Sequence, residues 1–443
     1  MERFSGAVTV IGAGYVGLTS AVCLAELGHR VACVDIDEGR IARLREDRVD
    51  LLEPGLRELL RRNRLGGRLS FHTLPSFVVP ASDDVFVCVP TPGNPDGSTD
   101  MSAVDTVARR LAGLLRPGAR LVVKSTVPPG THRRIAALLG RPDVSVVSNP
   151  EFLREGSAIA DFLEPDRIVI GADDPDAAAR VARLYAGIDA EVMLTDATSA
   201  ETIKYAANSF LAVKLAYANS IAELCERVGA DASDVLDAMG RDPRIGSEYL
   251  RPGPGWGGPC LPKDARALAA LGTTTGTDLS LVAAAVAANT HHQRRVATLV
   301  MDLLDRTLPG RRIGVLGLTF KAGTNDLRDS PALPITTLLA RHAHVTAYDP
   351  AITVPVPGVT DHLTLAPDAE SAVAGSDAVV LLTDWPEFTA LPWLRLAQAM
   401  RGDLVVDTRN VLDADALADA GLRLRVLGRA APVAEPVAAF GAR

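Results

Sequence analysis

Near the start of the chain, two short apolar runs that predict strands flank a longer apolar stretch that predicts a helix. Ala7 to Ile11 is a short apolar run, typical of a buried strand, and a glycine turn ends it. Apolar and small residues continue from there to about Leu27, and Gly28 ends the helix that they predict. A second apolar run ends at Asp35. The pattern therefore predicts a strand–helix–strand unit.

The same order of elements returns near the C-terminus. RRIGVLGLTF predicts a strand and a turn, DSPALPITTLLARHA predicts a helix, and HVTAYDP predicts a strand that ends on Asp349. Segment 82–92 (SDDVFVCVPTP) resembles 376–386 (SDAVVLLTDWP), and 120–127 (RLVVKSTV) resembles 403–410 (DLVVDTRN). These repeats predict an α/β fold with two Rossmann-like doubly wound domains.

The stretch between the two repeats has a helical pattern. ATSAETIKYAANSFLAVKLAYANSIAELCERV contains no glycine or proline, which predicts a long central helix with Ser199 as its N-cap. We expect a first domain over 1–195, a helical linking and dimerisation region over 196–306, and a second domain over 307–443. The final segment, RAAPVAEPVAAFGAR, is rich in alanine and proline and is expected to be poorly ordered.

Composition narrows the class of protein. The chain has 443 residues, 47% of them hydrophobic, and a net charge of −8, so a globular protein is expected and nucleic acid is an unsuited partner. The five cysteines are scattered without a CxxC pair, which favours neither a disulfide framework nor a zinc site, and no metal is expected. The chain shows no basic leader and no apolar run of membrane-spanning length, so we expect a cytoplasmic protein.

The first glycine turn has the spacing GxGxxG. Gly12 permits the tight turn, Gly14 lets the backbone approach a pyrophosphate, and Gly17 lets the helix pack on the strand. A pyrophosphate would then lie at the helix N-terminus. Asp35 at the second strand end would bind both ribose hydroxyls and repel a 2′-phosphate, which favours NAD over NADP. The alternative is a purely structural strand–helix turn.

The corresponding turn of the second repeat differs. GVLGLTFK has Gly314 and Gly317 but no GxGxxG. This pattern keeps the scaffold without the dinucleotide loop, which suggests a different phosphate-bearing ligand, with Lys321 as a cation. The alternative for Lys321 is an ordinary solvated lysine.

A cysteine lies within a segment of glycines and prolines, GPGWGGPCLPKD. The glycines would let a ligand approach the backbone. Pro262 suits the first turn of a helix that continues through DARALAAL. Cys260 would then lie just before a helix N-terminus and near Lys263, a setting that favours the thiolate. Four further cysteines lie in apolar strands or helices, as expected of inert buried thiols: Cys23, Cys33, Cys88 and Cys225.

Further polar residues fall at helix faces and strand ends. Lys204 and Asn208 are four apart on the long helix and share a face, where they could hold an oxyanion or a water, or simply be solvated. Glu151 and Glu155 follow an apolar strand and are candidates for acid–base chemistry. Asp161 and Asp166 are expected to be caps or surface residues.

These motifs together resemble the UDP-glucose/GDP-mannose dehydrogenase family over nearly the whole chain. They are GAGYVGL, VPTP with DGSTD, STVPPGT, NPEFLREGSAIADF with PDRIVIG, KYAANSFLAVK, RIGSEYL, GPGWGGPCLPKD and LTFKAGTNDLRDSP. KYAANSFLAVK and RIGSEYLRPGPGWGGPCLPKD are most similar to the UDP-glucose branch.

The resemblance implies a four-electron oxidation of a nucleotide sugar by NAD. The C6 alcohol becomes an aldehyde, which Cys260 attacks to form a thiohemiacetal. A second hydride transfer leaves a thioester on Cys260, and hydrolysis gives the uronic acid. The domains over 1–195 and 307–443 would bind NAD and the nucleotide sugar respectively.

The resemblance also implies site residues. Lys204 with Asn208 would stabilise negative charge at C6, Asp264 and Thr126 would orient a water, and Glu151 would be the general base. The residues expected to bind the cofactor are Gly12, Gly14, Tyr15, Val16, Gly17, Asp35, Arg40, Pro90, Thr91, Thr126, Glu155 and Lys263. The residues expected to bind the substrate are Glu151, Phe152, Leu153, Arg154, Glu155, Lys204, Asn208, Arg244, Tyr249, Leu250, Gly257, Phe320, Lys321 and Arg409.

Three residues bear on the identity of the substrate and on the assembly: Trp256, Pro259 and Arg244. Trp256 stands where the family usually has Phe, and Pro259 where it has a small residue, so the sugar pocket could be reshaped. Arg244 resembles the family arginine that reaches a neighbouring subunit's substrate, which implies a homodimer or a higher homo-oligomer.

The alternative functions are the same chemistry on a TDP-, GDP- or N-acetylated sugar, or a non-catalytic nucleotide-sugar-binding protein. A hydroxyacid dehydrogenase would share the first domain but needs no nucleophilic cysteine.

Overall fold

A computed structural model describes residues 7–304 and 310–430. Within these residues, fourteen strands form two sheets, and helices connect the strands and the two sheets. The tail that the sequence predicts to be poorly ordered lies outside the described residues from 431 onward.

The strands and helices are short except in the middle of the chain. The strands are β1 (Ala7–Ile11), β2 (Arg30–Val34), β3 (Leu69–His72), β4 (Asp84–Val87), β5 (Arg120–Val123), β6 (Ser145–Ser148), β7 (Arg167–Ala172), β8 (Glu191–Thr195), β9 (Arg312–Leu316), β10 (His344–Tyr348), β11 (Thr364–Leu365), β12 (Ala378–Leu381), β13 (Leu404–Asp407) and β14 (Arg423–Val426). The α-helices are α1 (Tyr15–Glu26), α2 (Glu38–Arg45), α3 (Leu56–Leu65), α4 (Ser102–Leu111), α5 (Thr131–Leu139), α6 (Ala158–Leu163), α7 (Pro175–Ala182), α8 (Ala197–Val228), α9 (Ala232–Gly240), α10 (Leu261–Thr275), α11 (Ser280–Leu303), α12 (Ala332–Ala340), α13 (Ala369–Val373), α14 (Pro386–Thr389), α15 (Trp393–Ala399) and α16 (Ala414–Asp419).

The first sheet has the order β3-β2-β1-β4-β5-β6-β7-β8. Its strands pair in parallel except β6 with β7, and β1 pairs with β2 on one side and with β4 on the other. Strand order reverses between β1 and β4, which is where ligands bind in doubly wound folds. The strands are apolar and buried, as expected when helices cover both faces.

The second sheet repeats this plan with six parallel strands in the order β11-β10-β9-β12-β13-β14. β9 takes the place of β1, because Leu316 at its end pairs with Tyr348 and with Leu381 on its two sides. The prediction of two related doubly wound domains is therefore confirmed.

The long central helix is also confirmed, but its predicted cap is wrong. α8 begins at Ala197, so Ser199 lies inside the first turn. The side chain of Asp196 accepts a hydrogen bond from the backbone N–H of Ser199 at 2.9 Å and therefore caps the helix. Aspartate and serine are comparable caps, and the sequence alone does not decide between two so close together.

The described chain divides into two compact units. The first contains the residues up to Ser209 together with Lys263–Leu279, and the second contains Phe210–Pro262 and the residues from Ser280 onward. Each unit contains one of the two sheets. In the part of the chain that the structure describes, no helix combines the length and apolar character needed to cross a membrane.

Candidate active site

The glycine turn of the first unit is shaped for a dinucleotide. Gly12 has a φ of +101°, a conformation that favours glycine. A Cβ on Gly17 would lie 1.9 Å from the carbonyl oxygen of Gly12, so a side chain is excluded there. By contrast, no described atom lies within 4 Å of where a Cβ on Gly14 would stand. The N-terminus of α1 at Tyr15 thus borders open space where a pyrophosphate fits.

The acid expected to bind ribose lies directly beside this turn. Asp35 follows β2, and its Oδ2 accepts a hydrogen bond from the backbone N–H of Ala13 at 2.7 Å. The same oxygen lies 3.4 Å from Nη1 of Arg40, and Oδ1 accepts from the backbone N–H of Asp37. The turn and Asp35 therefore fit NAD, and Arg40, a second predicted cofactor residue, lies beside Asp35.

Tyr15 has a partner that the sequence did not indicate. Its hydroxyl donates to Oε2 of Glu53, a buried carboxylate. The backbone N–H of Gly156 donates to this oxygen at 2.8 Å, and that of Ile159 to the other oxygen at 3.3 Å. Burial and the neighbouring Glu53 raise the pKa of Tyr15. Glu53 thus links the glycine turn to the segment in which the substrate-binding residues 151–155 were predicted.

Two predicted cofactor residues meet at neighbouring strand ends. Thr91 follows β4 and Thr126 follows β5, and the hydroxyl of Thr91 donates to the carbonyl oxygen of Thr126 at 2.8 Å. The hydroxyl of Ser125 donates to the carbonyl oxygen of Val89 at 2.7 Å. Pro90 is exposed between them. These bonds fix the two loops at the edge where the strand order reverses.

Lys204 on α8 forms a buried ion pair with Glu151. The distance between Nζ and Oε1 is 3.0 Å, and the two side chains are 4% and 5% exposed. Glu151 also accepts from the backbone N–H of Leu153 at 2.5 Å, and Nζ of Lys204 lies 5.3 Å from the ring centroid of Phe152. A buried ion pair contributes little net stability, so its presence favours a chemical role.

The second polar residue of this helix face binds a second carboxylate. The side-chain amide of Asn208 donates to Oδ2 of Asp264 at 2.6 Å, and Nζ of Lys263 lies 2.5 Å from Oδ1 of Asp264. Asp264 lies in the first turn of α10 and is 1% exposed. One face of α8 therefore holds two buried carboxylates, through Lys204 and Asn208 respectively.

Lys124 is a buried cation that sequence reasoning missed. It follows β5, and its Nζ donates to Oδ1 of Asn149 and to the hydroxyl of Tyr185, both at 3.3 Å. Nζ also lies 5.6 Å from the ring centroid of Phe162. Burial, with a smaller contribution from the nearby Lys204, lowers the pKa of Lys124 to about 8. The available signal was a lysine directly after an apolar strand at the ligand edge.

Two other predicted residues of this unit, Arg154 and Glu155, interact with different partners. Arg154 is largely exposed and pairs with Asp161 at 2.6 Å. Glu155 contributes to the electrostatic raising of the pKa of Tyr15. The carboxylates and cations therefore extend along segment 151–161 from the buried Glu151 to the surface.

The second unit gathers cations around its own glycine turn. The guanidinium of Arg409 donates through Nε to the carbonyl oxygen of Leu382 at 2.9 Å and through Nη2 to that of Phe320 at 3.4 Å. Burial lowers the pKa of Arg409. Nζ of Lys321 lies 5.8 Å from the ring centroid of Phe320. Predicted substrate residues Phe320, Lys321 and Arg409 are thus neighbours.

The glycine-rich segment packs closely within the same unit. A Cβ on Gly257 would lie 2.1 Å from the carbonyl oxygen of Asp329, and one on Gly258 would lie 2.7 Å from the ring of Phe320. Trp256 is buried, and its backbone N–H donates to the side chain of Asn289 at 2.9 Å. The glycines are therefore required by packing, and Trp256 is held in a buried position.

Cys260 differs from the other four cysteines. It is half-buried and directly precedes α10, as expected. Burial raises the pKa of the Cys88 thiol to about 12, and burial raises the pKa of Cys23 and Cys33 further. A raised pKa keeps those thiols protonated at neutral pH, whereas Cys260 is partly exposed.

Three further predicted residues of the second unit differ in exposure and backbone conformation. Arg244 is 87% exposed and pairs with Asp242 at 2.6 Å. Tyr249 has a φ of +61°, unusual for a residue with a side chain, and Leu250 is buried. Surface exposure of Arg244 is what a contact with a second subunit requires.

Fold and site together define the class: a dinucleotide-dependent dehydrogenase with a second nucleotide-binding sheet. The NAD binding, central and UDP binding domains of the UDP-glucose/GDP-mannose dehydrogenase family match residues 6–189, 198–291 and 314–414. The chain belongs to this family.

Named relatives and a solved structure match nearly the whole chain. The UDP-glucose 6-dehydrogenase of Rhizobium meliloti (strain 1021) is 43% identical over 433 residues, which cover 95% of this chain and 99% of the relative. UDP-glucose 6-dehydrogenase TuaD of Bacillus subtilis (strain 168) is 40% identical over 433 residues, covering 96% and 93%. The structure of a UDP-glucose dehydrogenase from Pyrobaculum islandicum matches with a TM-score of 0.89 at 38% identity, covering 97% and 99%.

Proposed function

We propose that the protein is an NAD-dependent UDP-glucose 6-dehydrogenase that oxidises C6 of the sugar twice to form UDP-glucuronate. The observation that supports this most is the face of α8 on which Lys204 and Asn208 each hold a buried carboxylate. Paired groups of this kind suit proton transfer and charge stabilisation. The names of the relatives support the choice of substrate.

In the first oxidation, the C6 hydroxyl loses its proton and C6 loses a hydride. NAD, when bound at Gly12–Gly17 and Asp35, supplies the hydride acceptor in both oxidations. Lys204 and Asn208 are N–H donors that stabilise the negative charge developing on the C6 oxygen. Thr126 and Asp264 orient a water.

Cys260 then holds the aldehyde. Its thiolate attacks C6 to give a thiohemiacetal, and the second oxidation converts this to a thioester. Glu151 removes a proton from the water that hydrolyses the thioester, and the uronate leaves. The ion pair with Lys204 keeps Glu151 in position for this step.

The nucleotide part of the substrate is assigned to the second domain, 307–443. Lys321 and Arg409 are the cations that would bind the diphosphate, and the half-buried guanidinium of Arg409 is held by two carbonyl oxygens. The domain over 1–195 is assigned to NAD and the region over 196–306 to linking and dimerisation.

Assembly and location are part of the proposal. The exposed Arg244 suits a contact with the substrate of a second subunit, so we expect a homodimer or a higher homo-oligomer. Five thiols without a disulfide suit a reducing cytoplasm.

The test is the amount of NADH formed per limiting nucleotide sugar, for UDP-glucose beside TDP-glucose, GDP-mannose and a UDP-N-acetylhexosamine. We expect two NADH per UDP-glucose, and loss of turnover in Cys260→Ala but not in the matched Cys225→Ala. Two NADH from another sugar would keep the chemistry and change the substrate. One NADH, or none, from every sugar would reject the thioester role of Cys260.

A further inference from the structure

A pocket the size of one water lies beside Lys204 in the first unit. The space that the centre of a water molecule can occupy in it is about 10 Å³, which is enough for one water molecule. Its lining joins the strand ends to α8 and consists of Val123, Ser125, Thr126, Val127, Ser148, Pro150, Glu201 and Lys204. The groups proposed to act at C6 therefore share a pocket with a carboxylate, Glu201, that has no role in the chemistry above.

Glu201 is three residues before Lys204 on α8, so both lie on one helix face. Its side chain is 1% exposed. Oε1 accepts from the backbone N–H of His132 at 2.8 Å and from the hydroxyl of Ser148 at 3.2 Å, and Oε2 accepts from the backbone N–H of Gly130 at 2.6 Å. These bonds hold α8 against the start of α5.

The imidazole of His132 continues this chain of groups toward the surface. Nδ1 lies 3.3 Å from Oε2 of Glu201. The ring is buried, and within the described residues Nε2 makes no hydrogen bond. Nε2 lies 3.6 Å from Oδ1 of Asp173, whose side chain is 71% exposed. Holding α8 to α5 explains the bonds of Glu201 but not the position of Nε2 opposite an exposed acid.

We propose that Glu201, His132 and Asp173 form a proton relay from the pocket beside Lys204 to solvent. The relay rests on the proposed function, because oxidation of a CH₂OH group by two NAD with one water yields a carboxylate, two NADH and three protons. Those protons must leave a buried site at each turnover. This route does not pass through the substrate, so it remains available while the substrate is bound.

One pass of the relay conserves atoms and charge. The C6 O–H bond breaks as the C6–H electron pair leaves as hydride to NAD, and the proton passes to the pocket water. That water gives a proton to the carboxylate of Glu201, which passes it to Nδ1 of His132. The ring releases its Nε2 proton to Asp173 and so to solvent. A turn of the ring then lets Nδ1 release its proton to water while Nε2 takes one up, which restores the starting tautomer without net proton transfer.

The decisive variant is His132→Asn. The asparagine amide reaches the position of Nδ1 and can form a hydrogen bond with Glu201, but nothing replaces Nε2. We expect kcat to fall roughly tenfold, a modest part of what a positioned proton-transfer group contributes. The KM values for NAD and UDP-glucose and the melting temperature should remain close to wild type. Added imidazole should restore much of the rate. An unchanged kcat, or a fall that imidazole leaves unaltered, would overturn the relay.

Proton release can also be followed directly. In weak buffer with a pH-indicator dye, the wild type should release protons together with NADH in the first turnover, and His132→Asn should release them after NADH. Simultaneous release in the variant would reject the relay while leaving the proposed function intact. If the wild type forms no NADH from any nucleotide sugar, the proposed function fails and the relay falls with it.

The solvent end has a matched control. Asp173→Asn should slow turnover a few-fold in weak buffer and not in strong buffer, since buffer can replace an exposed acid. Asp176 is a nearby exposed acid in the first turn of α7, and Asp176→Asn should have no effect in either buffer. Equal behaviour of the two variants would remove Asp173 from the relay.

Discussion

The two sheets share one plan but treat equivalent polar positions differently. At the end of the strand beside the first glycine turn, Asp35 is partly exposed and receives backbone bonds from Ala13 and Asp37. The equivalent residue of the second sheet, Asp349, is fully buried. Its Oδ2 accepts from the backbone N–H groups of Leu318 and Thr319, from the Thr319 hydroxyl, and from the indole of Trp385.

A second equivalent pair shows the same contrast. Lys124 follows β5, and the residue matching it in RLVVKSTV and DLVVDTRN is Asp407. Asp407 is fully buried and accepts from four successive backbone N–H groups, those of residues 409–412. Lys124 has two neutral partners, each at 3.3 Å. In the second sheet both acids are saturated with hydrogen bonds from neighbouring loops, whereas in the first sheet Asp35 and Lys124 make fewer hydrogen bonds.

The helices explain why the second sheet needs a different way to bind phosphate. β1 ends at Ile11 and α1 begins at Tyr15, so a helix N-terminus borders the glycine turn. β9 ends at Leu316, but α12 begins only at Ala332. Among the described residues, no helix begins directly after that turn, and we propose that cationic side chains such as Arg409 bind phosphate in its place.

The largest difference is expected from removing the two equivalent acids. Asp349→Ala leaves several buried donors without an acceptor and should lower the free energy of unfolding by about 3–5 kcal/mol. Asp35→Ala, in a partly exposed position, should lower it by less than about 1 kcal/mol. Chemical denaturation of both variants measures this. Equal losses would mean that the two acids have the same structural task.

Lys124 offers a test of the second pair through pH. The lysine has a pKa of about 8 in the folded protein, below the value of 10.5 of an unperturbed lysine. Between these values the unfolded chain binds more protons, so the destabilisation by Lys124 is complete below pH 8 and is lost as pH rises to 10.5. Lys124→Met should therefore exceed wild type in stability by an amount that shrinks by about 3 kcal/mol over this window.

Denaturant midpoints of both proteins from pH 7 to 10.5 check this prediction. Other groups titrate in the same range, but they are common to both proteins and cancel in the difference. A stability difference between the two proteins that does not change with pH would show that burial of the charged Lys124 side chain does not destabilise the fold.

The smallest effects are expected on ligand binding. A substitution in the second sheet should change the KM for UDP-glucose, and a substitution in the first sheet should change the KM for NAD. Arg409→Lys loses the planar fork and should raise the KM for UDP-glucose about tenfold without changing the KM for NAD. Asp35→Asn removes the charge that repels a 2′-phosphate and should raise the KM for NAD a few-fold while improving use of NADP. Steady-state kinetics with each substrate varied checks both. If either variant raises both KM values, the hypothesis that the first sheet binds NAD and the second binds the nucleotide sugar is wrong.

The fold was predictable because its signals are local. Glycine turns after apolar strands, an unbroken helical stretch over 197–228 and the repeated strand sequences all lie within short windows. The cap of α8 was the exception, because Asp196 and Ser199 both suit the role and only geometry separates them.

The relative positions of the candidate site residues were predictable only where the residues belong to a motif or share a helix face. Asp35 and Thr126 lie within recognisable segments, and Lys204 and Asn208 share a face by simple spacing. Glu53 and Glu201 were missed because ordinary charged residues reveal nothing until their partners are known. Glu201 bonds a residue 69 positions away, and Tyr15 one 141 positions away, separations that no local pattern records.

The saturated carboxylate of Asp349 bears on how such a molecule can change over generations. Acquiring a dinucleotide turn in the second sheet would require that acid to give up its present donors, and the first such replacement would lower stability before any new ligand could bind. Neutral drift cannot easily pass that barrier. The first sheet has no such barrier around Asp35, so its cofactor preference remains open to gradual revision, while the assignment of the second sheet is close to irreversible.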